Sequence, residues 1–174
     1  GTGHIGKKLI EKLDSIGAKV IVFSRSKNND GQLRDTKFIK LNITNIKDVE
    51  RNKAYLQNAD YIVHLAAFIP KGNDDNLKSV NININGTINL IKYLGKNTKF
   101  CYASTAEVYG KGSDKSIDEN FSCNPQSYYS MTKLLTENYL NLFFGRIGNS
   151  LIILRFTNVY GPGEKIPRAI TNFI

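Results

Sequence analysis

Tyr129 and Lys133 are the residues of this sequence whose types and spacing best suit acid/base chemistry. They stand four residues apart in the run YYSMTK, and a helix places residues i and i+4 on one face, about 5–6 Å apart at Cβ. The pKa of free tyrosine lies near 10, and lowering it to about 7 requires roughly 4 kcal/mol. A neighbouring ammonium favours the phenolate and supplies part of that energy. The same spacing is common on solvated helix faces, so its meaning depends on the elements around it.

A glycine-rich segment, GTGHIG, opens the chain and precedes a helix pattern. Apolar residues then recur at helical spacing before Gly17, at Ile5, Leu9, Ile10, Leu13 and Ile16. Glycines let the backbone approach a phosphate closely, and a helix N-terminus adds positive potential. The apolar run VIVFS follows, so the order is that of the second half of a βαβ dinucleotide-binding unit. The strand that should precede the glycines is missing, and we expect the chain to begin inside the loop.

The rest of the sequence alternates between strand and helix patterns. Strands are predicted at 37–41, 60–67, 99–104 and 150–156, helices at 46–56, 77–94 and 128–144, and a last helix from Pro167. This alternation predicts an α/β fold with a parallel sheet between helices. The apolar strands indicate a sheet that is buried on both sides. With no obvious linker, residues 1–174 are expected to be one domain or most of one.

Composition narrows the class of protein. The net charge is +9, but the lysines form no basic block and accompany no recognised motif, so no nucleic-acid partner is expected. No stretch approaches the roughly 20 apolar residues of a membrane span, and no membrane association is expected. Cys101 and Cys123 lack metal-ligand spacing. We expect reduced thiols, no metal site and a cytoplasmic protein.

Five motifs occur in an order that resembles one enzyme family. They are GTGHIG, VHLAA, NINGT, YASTAEVYG with YYSMTK, and LRFTNVYGPG. In order and spacing they resemble the extended short-chain dehydrogenase/reductases, specifically the NAD-dependent epimerase/dehydratase family of nucleotide-sugar enzymes. The resemblance covers essentially all 174 residues. It implies a Rossmann-like, doubly wound parallel sheet truncated at both ends. The first strand and most of the carboxyl-terminal substrate-binding region would be absent.

The resemblance also implies a catalytic set. Thr105 would bond the sugar hydroxyl that is oxidised, Tyr129 would be the acid/base, and Lys133 would hold the nicotinamide ribose and lower the pKa of Tyr129. The implied reaction is reversible hydride transfer, expected at C4 of the sugar. The family's 4,6-dehydratases typically carry Thr-Asp-Glu where this chain has Thr105, Ala106 and Glu107. We therefore expect an epimerase or a reductase.

Residues that match the family's cofactor-binding positions are spread along the chain. They are Gly3, His4, Ile5, Gly6, Ser24, Arg25, Asn42, Leu65, Ala66, Ala67, Asn83, Ser104, Tyr129 and Lys133. The family often has an acid where Ser24 stands. Without that acid a 2′-phosphate is not repelled and Arg25 could pair with it, which favours NADP over NAD. Asn42 replaces a common aspartate, and its amide oxygen could still accept a hydrogen bond from adenine. His64 is expected to be structural.

The implied substrate is a nucleotide sugar, and the parent protein would be a homodimer. Thr105, Glu107 and Asn158 match the positions that contact the substrate. Two alternatives remain: a dehydratase or small-carbonyl oxidoreductase of the same family, and a non-catalytic NADP-binding sensor. A sensor has no need of Thr105, Tyr129 and Lys133 together. A sheet without its first strand has unpaired edges, so the isolated chain is expected to be poorly soluble or marginally folded.

Overall fold

The computed structural model of the chain describes residues 2–26, 35–70, 76–112 and 116–161. Two compact units divide the chain: residues 1–40 with 156–174, and residues 41–155. Each unit is built from strands and helices that alternate along the sequence.

The first unit contains helix α1 (His4–Ser15) and two parallel strands, β1 (Val20–Ser24) and β2 (Thr36–Lys40). Its apolar core joins buried residues of α1 and β1, with partly buried side chains around them: Ile10, Val20, Val22, Leu13, Ala18 and Phe38. The predicted stop at Gly17 is confirmed. Gly17 has φ +73°, and its N–H donates to Asp14 while that of Ala18 donates to Leu13. This αL turn ends the helix and satisfies two of its last carbonyls.

The second unit begins with two short helices, α2 (Ile46–Arg51) and α3 (Lys53–Gln57), where one helix is predicted. Asn52 interrupts it, and its side chain donates to the Asp48 carbonyl at 2.9 Å. Asparagine competes in this way for backbone groups and so favours helix ends.

A three-stranded sheet forms the centre of the second unit, in the order β3–β4–β5. Its strands are β3 (Tyr61–His64), β4 (Lys99–Thr105) and β5 (Leu151–Phe156). β3 and β4 are parallel, with Tyr61 opposite Lys99 and His64 opposite Tyr102. Parallel strands separated by helices confirm the predicted α/β class.

A helical run and a long helix pack on this sheet. The run consists of α4 (Asn76–Ser79), a π-helical turn (Val80–Asn85) and α5 (Gly86–Ile91), and the long helix is α6 (Tyr128–Ile147). The buried core lies between them and β4, and comprises Ile91, Phe100, Tyr102, Leu140 and Phe144. The predicted helix 77–94 is thus confirmed in place, but it contains the π turn and ends at Ile91.

Exposed side chains on the opposite face of the sheet contradict the prediction that both faces are buried. Tyr61, Val63, Ile152 and Leu154 are 67%, 41%, 53% and 40% exposed. Successive side chains of a strand point to opposite faces, and α5 and α6 pack on the face that carries Phe100 and Tyr102. Apolar strand composition does not by itself reveal whether both faces are covered.

No helix in the described ranges is long and apolar enough to cross a membrane. The helix predicted from Pro167 lies outside the described residues.

Candidate active site

The first turns of α6 carry Tyr129 and Lys133. A capping box starts the helix: the Ser127 hydroxyl accepts from the Ser130 N–H at 3.1 Å, and Ser130 Oγ accepts from the Ser127 N–H at 3.2 Å. These bonds satisfy N–H groups that the helix leaves free. The cap therefore fixes where α6 begins and places Tyr129 and Lys133 one turn apart, as predicted.

Lys133 is buried, with 2% of its surface exposed. Its Nζ lies 4.2 Å from the centroid of the Tyr102 ring, a geometry in which the ring's negative face attracts a cation. Burial nevertheless lowers the pKa of Lys133 to about 7, against the opposing charge of Glu137. The ammonium is therefore only partly populated at neutral pH.

The pKa of Tyr129 departs from the predicted direction. Burial raises it, and the negative charge of Glu107 raises it further. The prediction that Lys133 lowers this pKa is wrong for this structure, because desolvation opposes the phenolate and the Lys133 ammonium lies over the Tyr102 ring. The assignment of Tyr129 as the acid/base stays a prediction.

Thr105 ends β4 next to the helix that carries Tyr129. Its side chain is 8% exposed, and its Oγ1 accepts from the Glu107 N–H at 3.2 Å. This bond caps a 3₁₀ turn, Ala106–Tyr109, in which Glu107 is exposed and Ala106 is half-buried. Glu107 is the acid whose negative charge raises the pKa of Tyr129.

Asn83 lies in the π turn and joins two parts of this site. Its Oδ1 accepts from the Phe68 N–H at 2.7 Å, and its Nδ2 donates to the Phe68 carbonyl and to Thr132 Oγ1, both at 3.0 Å. Thr132 in turn donates to the Tyr129 carbonyl at 2.8 Å. π turns occur frequently at functional sites. Here the turn brings an amide between the loop after β3 and the start of α6.

His64 ends β3 and bonds a side chain rather than the backbone. Its Nε2 lies 2.9 Å from Thr87 Oγ1, whose hydroxyl donates to the Asn83 carbonyl at 2.7 Å. The Thr87 hydroxyl already donates its proton to the Asn83 carbonyl. We therefore infer that His64 Nε2 is protonated and donates to Thr87 Oγ1. Burial lowers the pKa of His64 to about 3. The predicted strand continues to residue 67, but Leu65, Ala66 and Ala67 lie in the connection after it.

Ser104 and Asn42 use their side chains within the protein. The Ser104 hydroxyl is buried and donates to Glu137 Oε1. Asn42 Oδ1 accepts from the Thr44 N–H at 3.2 Å and from its hydroxyl at 3.0 Å, which is the local turn that asparagine favours. The assignment of Ser104 and Asn42 to cofactor binding stays a prediction.

Glu137 is the residue of this site that the sequence analysis missed. It is 1% exposed and forms a salt bridge with Arg155, with Nη2 and Oε2 2.7 Å apart. Its spacing of four from Lys133 is the signal that could have identified it, because it shares that residue's helix face. Within the described residues, no cluster of three or more His, Cys, Asp or Glu is placed to hold a metal ion.

The remaining predicted cofactor residues lie in the first unit. Gly3 is the N-cap of α1 in extended conformation, and a Cβ built there would meet nothing within 4 Å. The first intrahelical bond runs from the Lys7 N–H to the Gly3 carbonyl at 2.9 Å. His4, Ile5 and Gly6 therefore belong to the first turn, whose N–H groups have no partner within a helix. Free N–H groups at a helix start favour anions, and the assignment of these residues to the cofactor's phosphates stays a prediction.

The other residues of the first unit occupy the end of β1 and the segment after β5. Ser24 donates to the Ser26 carbonyl at 2.8 Å, and Arg25 is exposed. Asn158 is exposed and follows β5.

Comparison with known proteins identifies the family. The family model described as NAD dependent epimerase/dehydratase matches residues 1–174. The chain belongs to this family. The fold and the five motifs are therefore those of an epimerase/dehydratase-family Rossmann domain, as predicted.

Relatives named as epimerases and relatives named as dehydratases both match the chain. A protein of Methanocaldococcus jannaschii provisionally named UDP-glucose 4-epimerase is 31% identical over 92% of this chain and 54% of its own length. A dTDP-D-glucose 4,6-dehydratase of Dictyostelium discoideum is 30% identical over 100% of this chain and 46% of its own. The crystal structure of a Thermotoga maritima UDP-glucose 4-epimerase with UDP-glucose has a TM-score of 0.79 and 31% identity, covering 93% of this chain and 55% of that one. The chain thus spans about half the length of the curated relatives it matches.

Proposed function

We propose that the protein is an NAD(P)-dependent epimerase or reductase of a nucleotide-activated sugar, which transfers hydride at a hydroxyl-bearing carbon, expected to be C4. One observation carries the proposal. Thr105 at the end of β4 and the Tyr129–Lys133 pair at the start of α6 belong to packed neighbouring elements. These residue types suit removal of a proton from an alcohol.

The chain's own residues would divide the work. Tyr129 would take the proton from the sugar hydroxyl and return it to the product. Thr105 would orient that hydroxyl, and Lys133 would hold ribose hydroxyls of the cofactor. The bound dinucleotide supplies the hydride acceptor. The protein contributes geometry and charge, since correct placement alone contributes much of a rate enhancement.

The start of α1 fits the pyrophosphate of a dinucleotide. Gly3 leaves open space where a side chain would stand, and the first turn of α1 contains no acid. Helix N–H groups facing such a space bind anions. An exposed Arg25 after β1, next to Ser24 instead of an acid, supports NADP as the preferred form. Comparing the Kd of NAD with that of NADP tests the preference directly.

Dehydration is the second candidate, because the charge of Glu107 acts on Tyr129 and one relative is named as a 4,6-dehydratase. In the family's dehydratases an aspartate precedes this glutamate and takes part in loss of water. Here Ala106 stands in its place and offers no proton. We therefore place dehydration behind epimerisation or reduction.

The decisive experiment incubates the whole protein with NAD or NADP and UDP- or TDP-sugars, and follows the products by proton NMR. Inversion at C4, or reduction of a ketosugar, is the expected result. A 4-keto-6-deoxy product would instead identify a dehydratase. If the protein binds dinucleotide but no sugar nucleotide, the proposal fails.

A homodimer in the cytoplasm completes the proposal. Exposed apolar side chains recur every three or four residues along α6, at Tyr128, Met131, Leu135, Tyr139 and Leu142. Such a stripe can pair with a copy of itself across a twofold axis.

The cytoplasmic assignment rests on Cys101 and Cys123, which are free thiols, as expected in a reducing compartment.

A further inference from the structure

Glu137 is a buried acid that the proposed reaction does not use directly. It lies on α6, four residues after Lys133, with 1% of its surface exposed. We propose that Glu137 is a positioning residue whose carboxylate joins β4, α6 and β5 and thereby fixes Thr105 and Lys133 relative to each other. This inference rests on the proposed function, because it concerns the same catalytic set.

The carboxylate of Glu137 has partners on two strands. From β4, the Ser104 hydroxyl donates to Oε1. From β5, Arg155 donates from Nη2 to Oε2 at 2.7 Å and from Nε to both oxygens, at 3.1 and 3.3 Å. A buried carboxylate persists only with such compensation, and a forked arginine–carboxylate pair restricts the orientation of both groups. One side chain of α6 therefore sets its distance to both strands.

The same network anchors the segment around Thr105 from both sides. Ser104 precedes Thr105 and is bound to Glu137. On the other side, Arg155 Nη1 donates to the Tyr109 hydroxyl at 2.8 Å. Tyr109 ends the 3₁₀ turn that begins directly after Thr105. These bonds on either side of Thr105 oppose displacement of its backbone relative to α6.

Glu137 also favours the charged form of Lys133. Burial lowers the pKa of Lys133, and the Glu137 carboxylate opposes that effect. Without it, the amine would lose its proton at lower pH. Besides Lys133, the titratable groups on α6 are Tyr128, Tyr129, Glu137, Tyr139 and Arg146. The elements packed against α6 carry Lys78, Lys99, Cys101, Tyr102, Glu107 and Tyr109, and the neighbouring strands β3 and β5 carry Tyr61, His64 and Arg155. The charge of Lys133 acts on His64, which stays neutral above a pKa of about 3.

The test compares three variants of the whole protein with wild type: Glu137→Gln, Glu137→Asp and the control Glu119→Gln. Glu119 is an exposed acid whose backbone carbonyl, not its carboxylate, accepts from Arg155. For Glu137→Gln we expect kcat to fall at least about tenfold, because small displacements of reacting groups are costly. KM should change less than about threefold, since Glu137 is not a ligand contact. Glu119→Gln should match wild type.

The pH profile separates positioning from general stability. If protonated Lys133 is the active form, the alkaline limb of kcat moves to lower pH by about one unit or more in Glu137→Gln, the size expected for loss of a nearby opposite charge. Glu137→Asp keeps the negative charge. Its alkaline limb should match that of wild type, whereas its kcat should lie between those of Glu137→Gln and wild type. Ser104→Ala is a milder variant that keeps the Glu137–Arg155 pair. It should lower kcat and leave the alkaline limb unchanged.

A second readout does not need turnover. Titration of the Lys133 Nζ signal in ¹⁵N-lysine-labelled protein, assigned with Lys133→Met, measures the same pKa shift directly. If wild type turns over no nucleotide sugar while this signal shifts in Glu137→Gln, the proposed function fails and the coupling of Glu137 to Lys133 stands. An unshifted signal and pH profile, or a kcat loss equal to the loss of folded protein, overturns the positioning role.

Discussion

Lys133 and Tyr129 form a pair in which both groups favour the uncharged form. Burial lowers the pKa of Lys133 to about 7 and raises that of Tyr129. On an open helix face the same two residues would keep their ordinary pKa values. Formation of the Lys133 ammonium or the Tyr129 phenolate therefore requires stabilisation by groups that bind beside it. This makes Lys133 and Tyr129 the residues at which the proposed chemistry is most directly tested.

The stability of the protein should depend on the titration of Lys133. Between pH 7 and 10.5 the unfolded chain keeps the lysine proton and the folded chain releases it, so stability rises with pH in this range. Tyr102 and Tyr129 have raised pKa values and reverse the trend above about pH 10. From pH 7 to pH 9 the free energy of unfolding, measured with urea, should rise by roughly 2 kcal/mol more in wild type than in Lys133→Met. An equal rise in the free energy of unfolding in both proteins would contradict a lowered pKa of Lys133.

Removal of the Tyr129 hydroxyl should abolish turnover but not cofactor binding. Loss of a general acid/base typically lowers kcat by about 10²–10⁴-fold, and we expect that range for Tyr129→Phe in the NMR assay of sugar conversion. Tyr128→Phe is the matched control, since this neighbouring tyrosine is 60% exposed. If Tyr129→Phe kept the wild-type kcat, the proposed mechanism would be wrong.

At the scale of elements, the π turn is the feature that organises the site. A regular α-helix over residues 76–91 would present a different side chain towards the loop after β3, because a π turn changes the angular position of every residue after it. The π turn contains Asn83, whose amide bonds both Phe68 and Thr132. One residue of this turn thus links the loop after β3 to the first turns of α6.

Asn83→Ala should destabilise the protein by about 2–4 kcal/mol, because it leaves the part-buried N–H and carbonyl of Phe68 without their side-chain partner and removes one of the hydrogen bonds of the Thr132 hydroxyl. Asn85→Ala in the same π turn is the control. Asn85 is exposed, and its amide bond to Asn81 is long, at 3.5 Å, so the expected change is below about 0.5 kcal/mol. Thermal and urea unfolding measure both, and equal effects would contradict the bridging role.

At the scale of the whole molecule, the proposed functions are divided between two units. Residues 1–40 with 156–174 contain the helix start that suits a pyrophosphate, and residues 41–155 contain Thr105, Tyr129 and Lys133. The apolar stripe of α6 is a third feature, and it bears on assembly.

Leu135→Glu should convert the proposed homodimer into a monomer. Leu135 is 49% exposed in the middle of the stripe, so a buried carboxylate would oppose pairing. Ile152→Glu is the control, because Ile152 is similarly exposed, at 53%, on the sheet. Light scattering coupled to size exclusion gives the mass of each variant. A monomeric wild type, or loss of the dimer only in Ile152→Glu, would refute pairing through α6.

The sequence by itself determined the family, the order of strands and helices, and the places of Thr105, Tyr129 and Lys133, because local periodicity and motif spacing are properties of the chain alone. It did not reveal the π turn, the open sheet face or the Glu137–Arg155 network. It also gave the wrong direction for the pKa of Tyr129. Burial and long-range contacts decide these features, and both arise only when residues distant in the chain, such as Ser104, Glu137 and Arg155, pack together.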